Sequence, residues 1–328
     1  GGIHLRMASR KPLSRRGSVH LRKKRLLHKD PKAFVQDSTT SIVSTPTTIL
    51  KPPLHVQHSG ARLTLLSTGC LLKLLIGVAN TVEIHHAHRL KNVVENRPPG
   101  VGLFTVSNHA SMADPAIIAN MYDWSQDLSC PQWPPWTLCT DTFFRVHPLL
   151  SFWLEAGKAM PITRASPKGL KQEYLRDFRD RLNAGEWCHL YPEGKITQPW
   201  RFPEGQSRLG KFLPGIGKLV TNCETPPLVV PIYHKGMHDI LPEIVGDPRM
   251  PAKPKSLIPQ IGKKVDIYIG EPVEISDLLE EADQSSEDVN SLERWQHETR
   301  DDLKKWLKIS SRVRDAMRDL EEEAWANN

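Results

Sequence analysis

The chain has 328 residues, 39% apolar and 25% charged, with 44 Lys+Arg against 37 Asp+Glu for a net charge of +7. That length fits one large domain or two, and the composition supplies both a packed core and a polar surface, which excludes wholesale disorder, a collagen-like chain and a polytopic membrane protein. Five scattered cysteines with no CxxC pair exclude a disulfide framework and read as small apolar residues.

The positive charge is concentrated at the N-terminus. Residues 1–29 hold ten Lys/Arg and no acid, so the remainder carries 34 bases against 37 acids, a net −3. A nucleic-acid binder needs its basic face on the folded body, so nucleic acid is not an expected partner. Residues 1–60 read as a disordered basic arm, either a mitochondrial transit signal, a patch for anionic lipid or nuclear import, or a plain solvated tail. Next, residues 61–90 read as a membrane-anchoring helix centred on LTLLSTGCLLKLLIGVANTV at 63–82. Gly69, Lys73, Gly77 and Asn80 share one narrow helical face. Leu65, Leu71, Leu72, Leu74, Leu75 and Ile76 form the apolar bulk that would enter one leaflet while Lys73 snorkels to water. A buried core helix is the alternative.

From about residue 91 to 275 strands alternate with helices. The pattern predicts strands at 102–108, 159–164, 186–190, 227–236 and 263–274. It predicts helices at 115–123, 142–157, 166–185 and 213–224. This order predicts an α/β domain with an open, largely parallel sheet flanked by helices. Residues 276–328 form an acidic and then helical extension that could pair with a second copy as a homo-oligomer.

Four blocks carry chemistry. Asn108-His109-Ala110-Ser111-Met112-Ala113-Asp114-Pro115 sets an imidazole and a carboxylate at a strand end, where open α/β sheets place their ligands. Asp114 can fix one ring nitrogen of His109 and leave the other as a base, or it can simply cap the helix that Pro115 begins. A Ser111 nucleophile lacks a G-x-S-x-G elbow. Tyr191-Pro192-Glu193-Gly194 follows an apolar strand, and its turn can offer backbone N–H groups and a carboxylate. The near-copy Phe202-Pro203-Glu204-Gly205 follows a loop, so the first is preferred. Arg164 closes AMPITR as a fixed cation for phosphate. Pro231, inside Val229–Ile232, predicts a sheet edge or bulge. His85, His86 and His88 lack a ligand pattern, so no metal is expected. The aromatics Trp133, Trp136, Phe143, Phe144, Phe152 and Trp153 suit either core packing or a bilayer interface.

In this order and spacing the blocks NHASMAD, GKAMPITR, YPEG and LVVPIY resemble the glycerophospholipid acyltransferase superfamily. Within it, GEWCHLYPEGK, FLPGIGKLV, PLVVPIYHKGMHDILPE and IGKKVDIYIGEPV are similar to the branch of phospholipid–lysophospholipid transacylases that remodel cardiolipin. The resemblance covers residues 60–280 and implies a glycerolipid acyltransferase-like fold, no cofactor, and phospholipid and lysophospholipid partners, cardiolipin among them, at a mitochondrial membrane surface. It implies His109 and Asp114 as the catalytic base pair. Asn108, Ser111, Arg164, Glu193, Gly194 and Pro231 would bind substrate, with oxyanion donors from the Asn108–Ser111 or Glu193–Gly194 turn. An acyl-CoA-dependent acyltransferase of the same superfamily and a non-catalytic membrane scaffold are the competing readings.

Overall fold

A computed structural model of the chain describes residues 67–121, 134–164, 166–246, 253–256, 258–280, 295–296 and 298–326. The basic arm, Leu65, Trp133 and the side chain of Leu75 lie outside the described residues.

Seven strands form one sheet: β1 Thr81–His85, β2 Leu103–Ser107, β3 Trp136–Thr140, β4 Ala159–Ile162, β5 Trp187–Leu190, β6 Leu228–Lys235 and β7 Lys264–Ile269, in the spatial order β1-β7-β6-β2-β5-β3-β4. Every pairing is parallel except β6 with β7. The sheet is therefore open and largely parallel. β2 is central and buried at all five positions, as its run Leu103–Val106 of apolar and β-branched residues requires when helices cover both faces.

Alternation along the strands divides the core in two. Phe104, Val106, Cys188, Val229 and Tyr268 point to one face, under α6 (Glu173–Asn183), α7 (Gly215–Thr221) and α10 (Arg300–Ala326). Leu103, Trp187, Val230, Ile232, Val265 and Ile267 point to the other, under α1 (67–78), α2 (Ala87–Asn96), α3 (Pro115–Asn120) and α8 (Met237–Ile240). In α6 the spacing of Leu175, Phe178 and Leu182 makes one buried stripe. Glu173 opens that helix and Arg181 closes it, complementing the dipole. The helix expected over 142–157 is two, α4 (Asp141–Val146) and α5 (Pro148–Ala156). His147 between them is extended, its Nδ1 accepts the Leu149 N–H at 3.1 Å, and Pro148 cannot continue the helical hydrogen bonding. The short α9 (Ser276–Glu280) precedes α10.

The N-terminal helix differs from expectation. α1 runs over 67–72 and widens to a π-turn at Lys73–Val78, then the chain turns and enters β1 at Thr81. Lys73 does not snorkel to water; it is only 4% exposed. Gly69, Lys73, Ile76 and Asn80 face the protein, where the Asn80 side chain accepts the Lys263 N–H at 3.0 Å. Leu71, Leu74 and Val78 are the exposed side chains, Leu72 is half-buried and Ile76 is core. The polar stripe therefore docks on the domain and part of the apolar one faces outward. Among the described residues no helix is long and apolar enough to cross a membrane.

Pro231 also departs from expectation. β6 is an interior strand between β7 and β2. The antiparallel β6–β7 register starts at Ile232–Ile269, and Pro231 meets the neighbouring strand only through its carbonyl, which accepts the Gly270 N–H at 2.9 Å. The missing N–H falls where that ladder ends, which is how an interior strand tolerates proline. Of the cysteines, Cys188 is core and Cys70 is exposed.

α10 places Ile309, Val313 and Met317 in the core with no exposure. The extension is thus part of the domain. Met317→Ala is expected to lower unfolding free energy by about 2–5 kcal/mol, read by urea denaturation. A loss under about 0.5 kcal/mol, the range of surface changes, would remove α10 from the core.

Candidate functional site

The site lies beyond the C-terminal end of β2, where the central strand gives way to the Asn108–Asp114 turn. Asp114 is fully buried. Its Oδ2 accepts three hydrogen bonds, from His109 Nδ1 at 2.8 Å, Ala110 N at 2.7 Å and Ser111 N at 2.9 Å. Its Oδ1 has no hydrogen-bond partner among the described residues. The carboxylate makes no capping bond to its own helix and reaches back over the turn instead. Of the two readings of Asp114, the geometry matches the one that orients an imidazole. The two backbone N–H groups can only donate, so Oδ2 is the acceptor throughout, the hydrogen of the 2.8 Å contact sits on His109 Nδ1, and in that tautomer Nε2 presents its lone pair. The His109 side chain is 13% exposed, whereas its carboxylate partner is fully buried.

Around this pair the structure assembles residues from β2, β5 and β6. Asn108 is buried, and its amide clamps the backbone of His234 on β6, donating to the carbonyl and accepting from the N–H, both at 2.9 Å. His234 Nε2 donates to the Asn108 carbonyl at 2.9 Å and sits 3.7 Å from Asp114 Oδ2. Asn108 therefore ties β2 to β6. Ser111 is likewise buried, and its hydroxyl accepts the Ala113 N–H at 3.2 Å, shaping the turn. Tyr191, directly after β5, stacks on the His109 ring with centroids 4.2 Å apart and planes 20° from parallel. The aromatic residue at that position fixes the imidazole plane.

Glu193 is buried beside the same turn. Oε1 accepts the His109 N–H and Oε2 the Gly210 N–H, both at 3.2 Å. Burial pushes its carboxyl up to about 7, against the pull of those two N–H groups. Both oxygens are engaged within the protein, so Glu193 sets the position of the His109 backbone instead of meeting phosphate. Gly194 takes a positive φ of 66° to close the turn, and a Cβ there would come within 2.8 Å of the Leu213 side chain. Its N–H donates to the Tyr191 carbonyl at 3.1 Å. Of the N–H groups in the two turns expected to supply oxyanion donors, those of His109, Ala110, Ser111 and Gly194 are committed to protein acceptors. Glu204, in the second Pro-Glu-Gly run, is exposed.

Arg164 is exposed just beyond β4, at the same edge of the sheet as His109. Three strand spacings separate β4 from β2, about 14 Å. Pro231 pairs with Val106 inside the sheet and supports the site from below. Two of the three clustered histidines have carboxylate neighbours: His85 Nε2 lies 3.3 Å from Asp266, and His86 Nε2 lies 2.8 Å from Glu323. Glu83, His85 and Asp266 bring ligand-type atoms within 4.8 Å of one another. The Lys264 ammonium occupies that charge, 3.0 Å from Glu83 and 3.1 Å from Asp266.

Sequence reasoning missed Tyr191 as a stacking partner, and it missed His189 and His234. His189 on β5 is buried between two hydroxyls of β2, with Nδ1 2.9 Å from Thr105 Oγ1 and Nε2 3.1 Å from Ser107 Oγ. The signal was the hydroxyls at alternate positions, Thr105 and Ser107, which a fully apolar central strand would not place on one face.

A family model described as Acyltransferase matches residues 88–235, a span that holds every block of the site. The N-acylphosphatidylethanolamine synthase of Arabidopsis thaliana is 30% identical over 210 residues, 64% of this chain and 69% of that one. A tafazzin of Dictyostelium discoideum is 31% identical over 195 residues, 58% of each chain. The tafazzin of Drosophila melanogaster is 24% identical over 239 residues, 70% of this chain and 56% of its own. The chain thus spans little more than half the length of these tafazzins.

Burial lowers the His189 pKa to about 3, with His234 and His109 adding repulsion, so the folded protein keeps this ring neutral while the unfolded chain protonates it near 6.5. Below that pH the unfolded state binds the extra proton, so stability falls as pH falls, by about 2 kcal/mol at pH 5 from this residue. His189→Gln is expected to reduce the loss of urea stability between pH 7.5 and 5 by about that amount. An identical pH slope in the variant would contradict the neutral, buried assignment.

Proposed function

Since the chain belongs to the glycerophospholipid acyltransferase superfamily, has the tafazzins among its relatives, and is an O-acyltransferase of phospholipids, we propose that it is a CoA-independent transacylase that moves acyl chains between phospholipids and lysophospholipids, cardiolipin among them, at mitochondrial membranes. The observation that carries the chemistry is His109 Nδ1 held 2.8 Å from a buried carboxylate, on a side chain that remains partly exposed.

Nε2 takes the proton from a lysolipid hydroxyl as its oxygen bonds to the ester carbonyl of a donor phospholipid. Asp114 stabilises the imidazolium that forms. Collapse of the tetrahedral intermediate breaks the donor's ester bond, and Nε2 returns the proton to the departing lysolipid oxygen. One ester bond forms and one breaks, so neither water nor a cofactor is consumed. Arg164, exposed at the same sheet edge, meets a lipid phosphate.

Apolar surface supports a membrane-bound substrate. α4 and α5 follow directly from the C-terminal end of β3 and expose Phe143, Val146, Leu149, Phe152 and Trp153. α1 packs on α3, the helix that Asp114 leads into, and exposes Leu71, Leu74 and Val78. Apolar and aromatic side chains at that level suit the bilayer interface, and the basic arm adds about 1 kcal/mol per Lys/Arg near anionic lipid.

Purified protein with fluorescent phosphatidylcholine and lysocardiolipin in vesicles, without CoA, is expected to transfer the label to cardiolipin. His109→Ala is expected to lower the rate by about 10²–10⁴-fold and to leave vesicle binding intact. Transfer that requires added acyl-CoA would replace this reading with a CoA-dependent one, and label appearing on the nitrogen of phosphatidylethanolamine would favour the activity named for the Arabidopsis relative. Replacing both Phe152 and Trp153 by Asp is expected to weaken vesicle sedimentation at least tenfold; unchanged sedimentation would move the membrane contact elsewhere.

A further inference from the structure

α10 touches the catalytic turn through one intermediate segment. Ser310, Arg314 and Glu321 lie four and seven residues apart and so project from a single stripe of the helix. All three bond to the chain between 207 and 213. The buried Glu321 carboxylate accepts Ser207 Oγ at 2.6 Å and the Arg208 N–H. Arg314 donates to the Gly210 carbonyl through Nε at 3.1 Å and to the Leu209 carbonyl through Nη2 at 3.2 Å. Ser310 Oγ donates to the Leu213 carbonyl at 3.1 Å.

The same segment is joined to the Tyr191–Gly194 turn on its other side. The Leu213 N–H donates to the Pro192 carbonyl at 3.0 Å, and the Gly210 N–H donates to Glu193 at 3.2 Å. Contact at Gly210 is so close that an added Cβ would lie 2.5 Å from Glu193 Oε2. Glu193 in turn receives the His109 N–H. A continuous chain of hydrogen bonds therefore runs from the C-terminal helix, through the 207–213 segment and Glu193, to the backbone of His109. The helix end is itself anchored on the strand behind the site, where Trp325 Nε1 donates to Tyr233 Oη at 2.9 Å and Lys235 Nζ to the Ala324 carbonyl.

We propose that α10 is a positioning element of the active site, with Arg314 and Glu321 as positioning residues that hold the 207–213 segment against Glu193 and so set the His109 imidazole. The proposal rests on the transacylase reading of the site. Two features give it physical content. Arg314 spends two donors on backbone carbonyls, with no acid partner among the described residues, which orders a loop instead of forming an ion pair. Every joint except the Ser207 hydroxyl is a backbone group on the segment, so a displacement of it is passed on to Glu193. Misplacement of a catalytic group by about 1 Å costs on the order of 10²-fold in rate.

The test compares full-length variants in the CoA-free vesicle assay. Arg314→Met is expected to lower kcat on the order of 10²-fold with KM for the donor lipid and the thermal midpoint little changed, because no substrate contact is removed. Arg314→Lys, which keeps one donor, is expected to recover most of that loss. Arg318→Met on the exposed side of the same helix, where Arg318 pairs with Asp315, is expected to behave as wild type. Should Arg314→Met fail to fold, Ser310→Ala and Glu321→Gln each remove fewer bonds to the segment and are expected to lower kcat in proportion; a folded Glu321→Gln with wild-type kcat would overturn the proposal. So would a folded Arg314→Met that matches Arg318→Met. His109→Ala separates the levels: an active His109→Ala overturns both the site reading and this one, whereas a dead His109→Ala beside an active Arg314→Met overturns the positioning role alone.

Discussion

Everything at this site depends on one carboxylate oxygen. Asp114 Oδ2 accepts an imidazole N–H and two backbone N–H groups within a turn of seven residues. A carboxylate taken fully out of water is costly unless such charge-assisted bonds replace its hydration. The requirement works in both directions. The buried charge holds the turn at the end of β2, and the turn holds His109 with Nδ1 committed and Nε2 available. Tyr191 presses on the ring, Asn108 binds the turn to β6, and Glu193 takes the His109 N–H. Each of these contacts removes a way for the imidazole to swing away from the carboxylate.

The sheet supplies the platform. β2 lies between β5 and β6, and the chain leaves it for opposite sides of the sheet, toward β3–β5 on one side and β6–β7 on the other. That reversal opens the crevice in which open α/β sheets carry their sites. Because β1 and β7 run against the other strands, α1 enters β1 from the same edge at which β2 and β3 end. The exposed leucines of α1 and the aromatics of α4 and α5 therefore share an edge with His109. A lipid ester has to leave water before it meets a base, and that edge gives it an apolar approach.

Much of the site was legible because it is local. The imidazole and its carboxylate are five positions apart, and a strand, a turn and Pro115 bracket them. The strand order was partly legible from alternation, but β1 and β3 were hidden, the first inside an apolar run read as helix and the second between prolines. Lys73 was misplaced because a helical wheel gives a face and not its direction; the polar stripe turned inward onto the domain. Pro231 was misplaced because the end of one antiparallel ladder looks, in sequence, like the edge of a sheet. His234, Tyr191, Arg314 and Glu321 act across separations of tens to hundreds of residues, and only the fold brings them to the turn.

The most direct test is the protonation state of the His109 ring, read by nitrogen-15 NMR of histidine-labelled protein at neutral pH, with His109→Gln to assign the signal. The structure predicts that the neutral form of the ring carries its hydrogen on Nδ1 and leaves Nε2 bare, and that this tautomer preference is lost in Asp114→Asn. A neutral ring protonated on Nε2 in the wild type, or one indifferent to the Asp114 substitution, would contradict the claim that this carboxylate prepares the base.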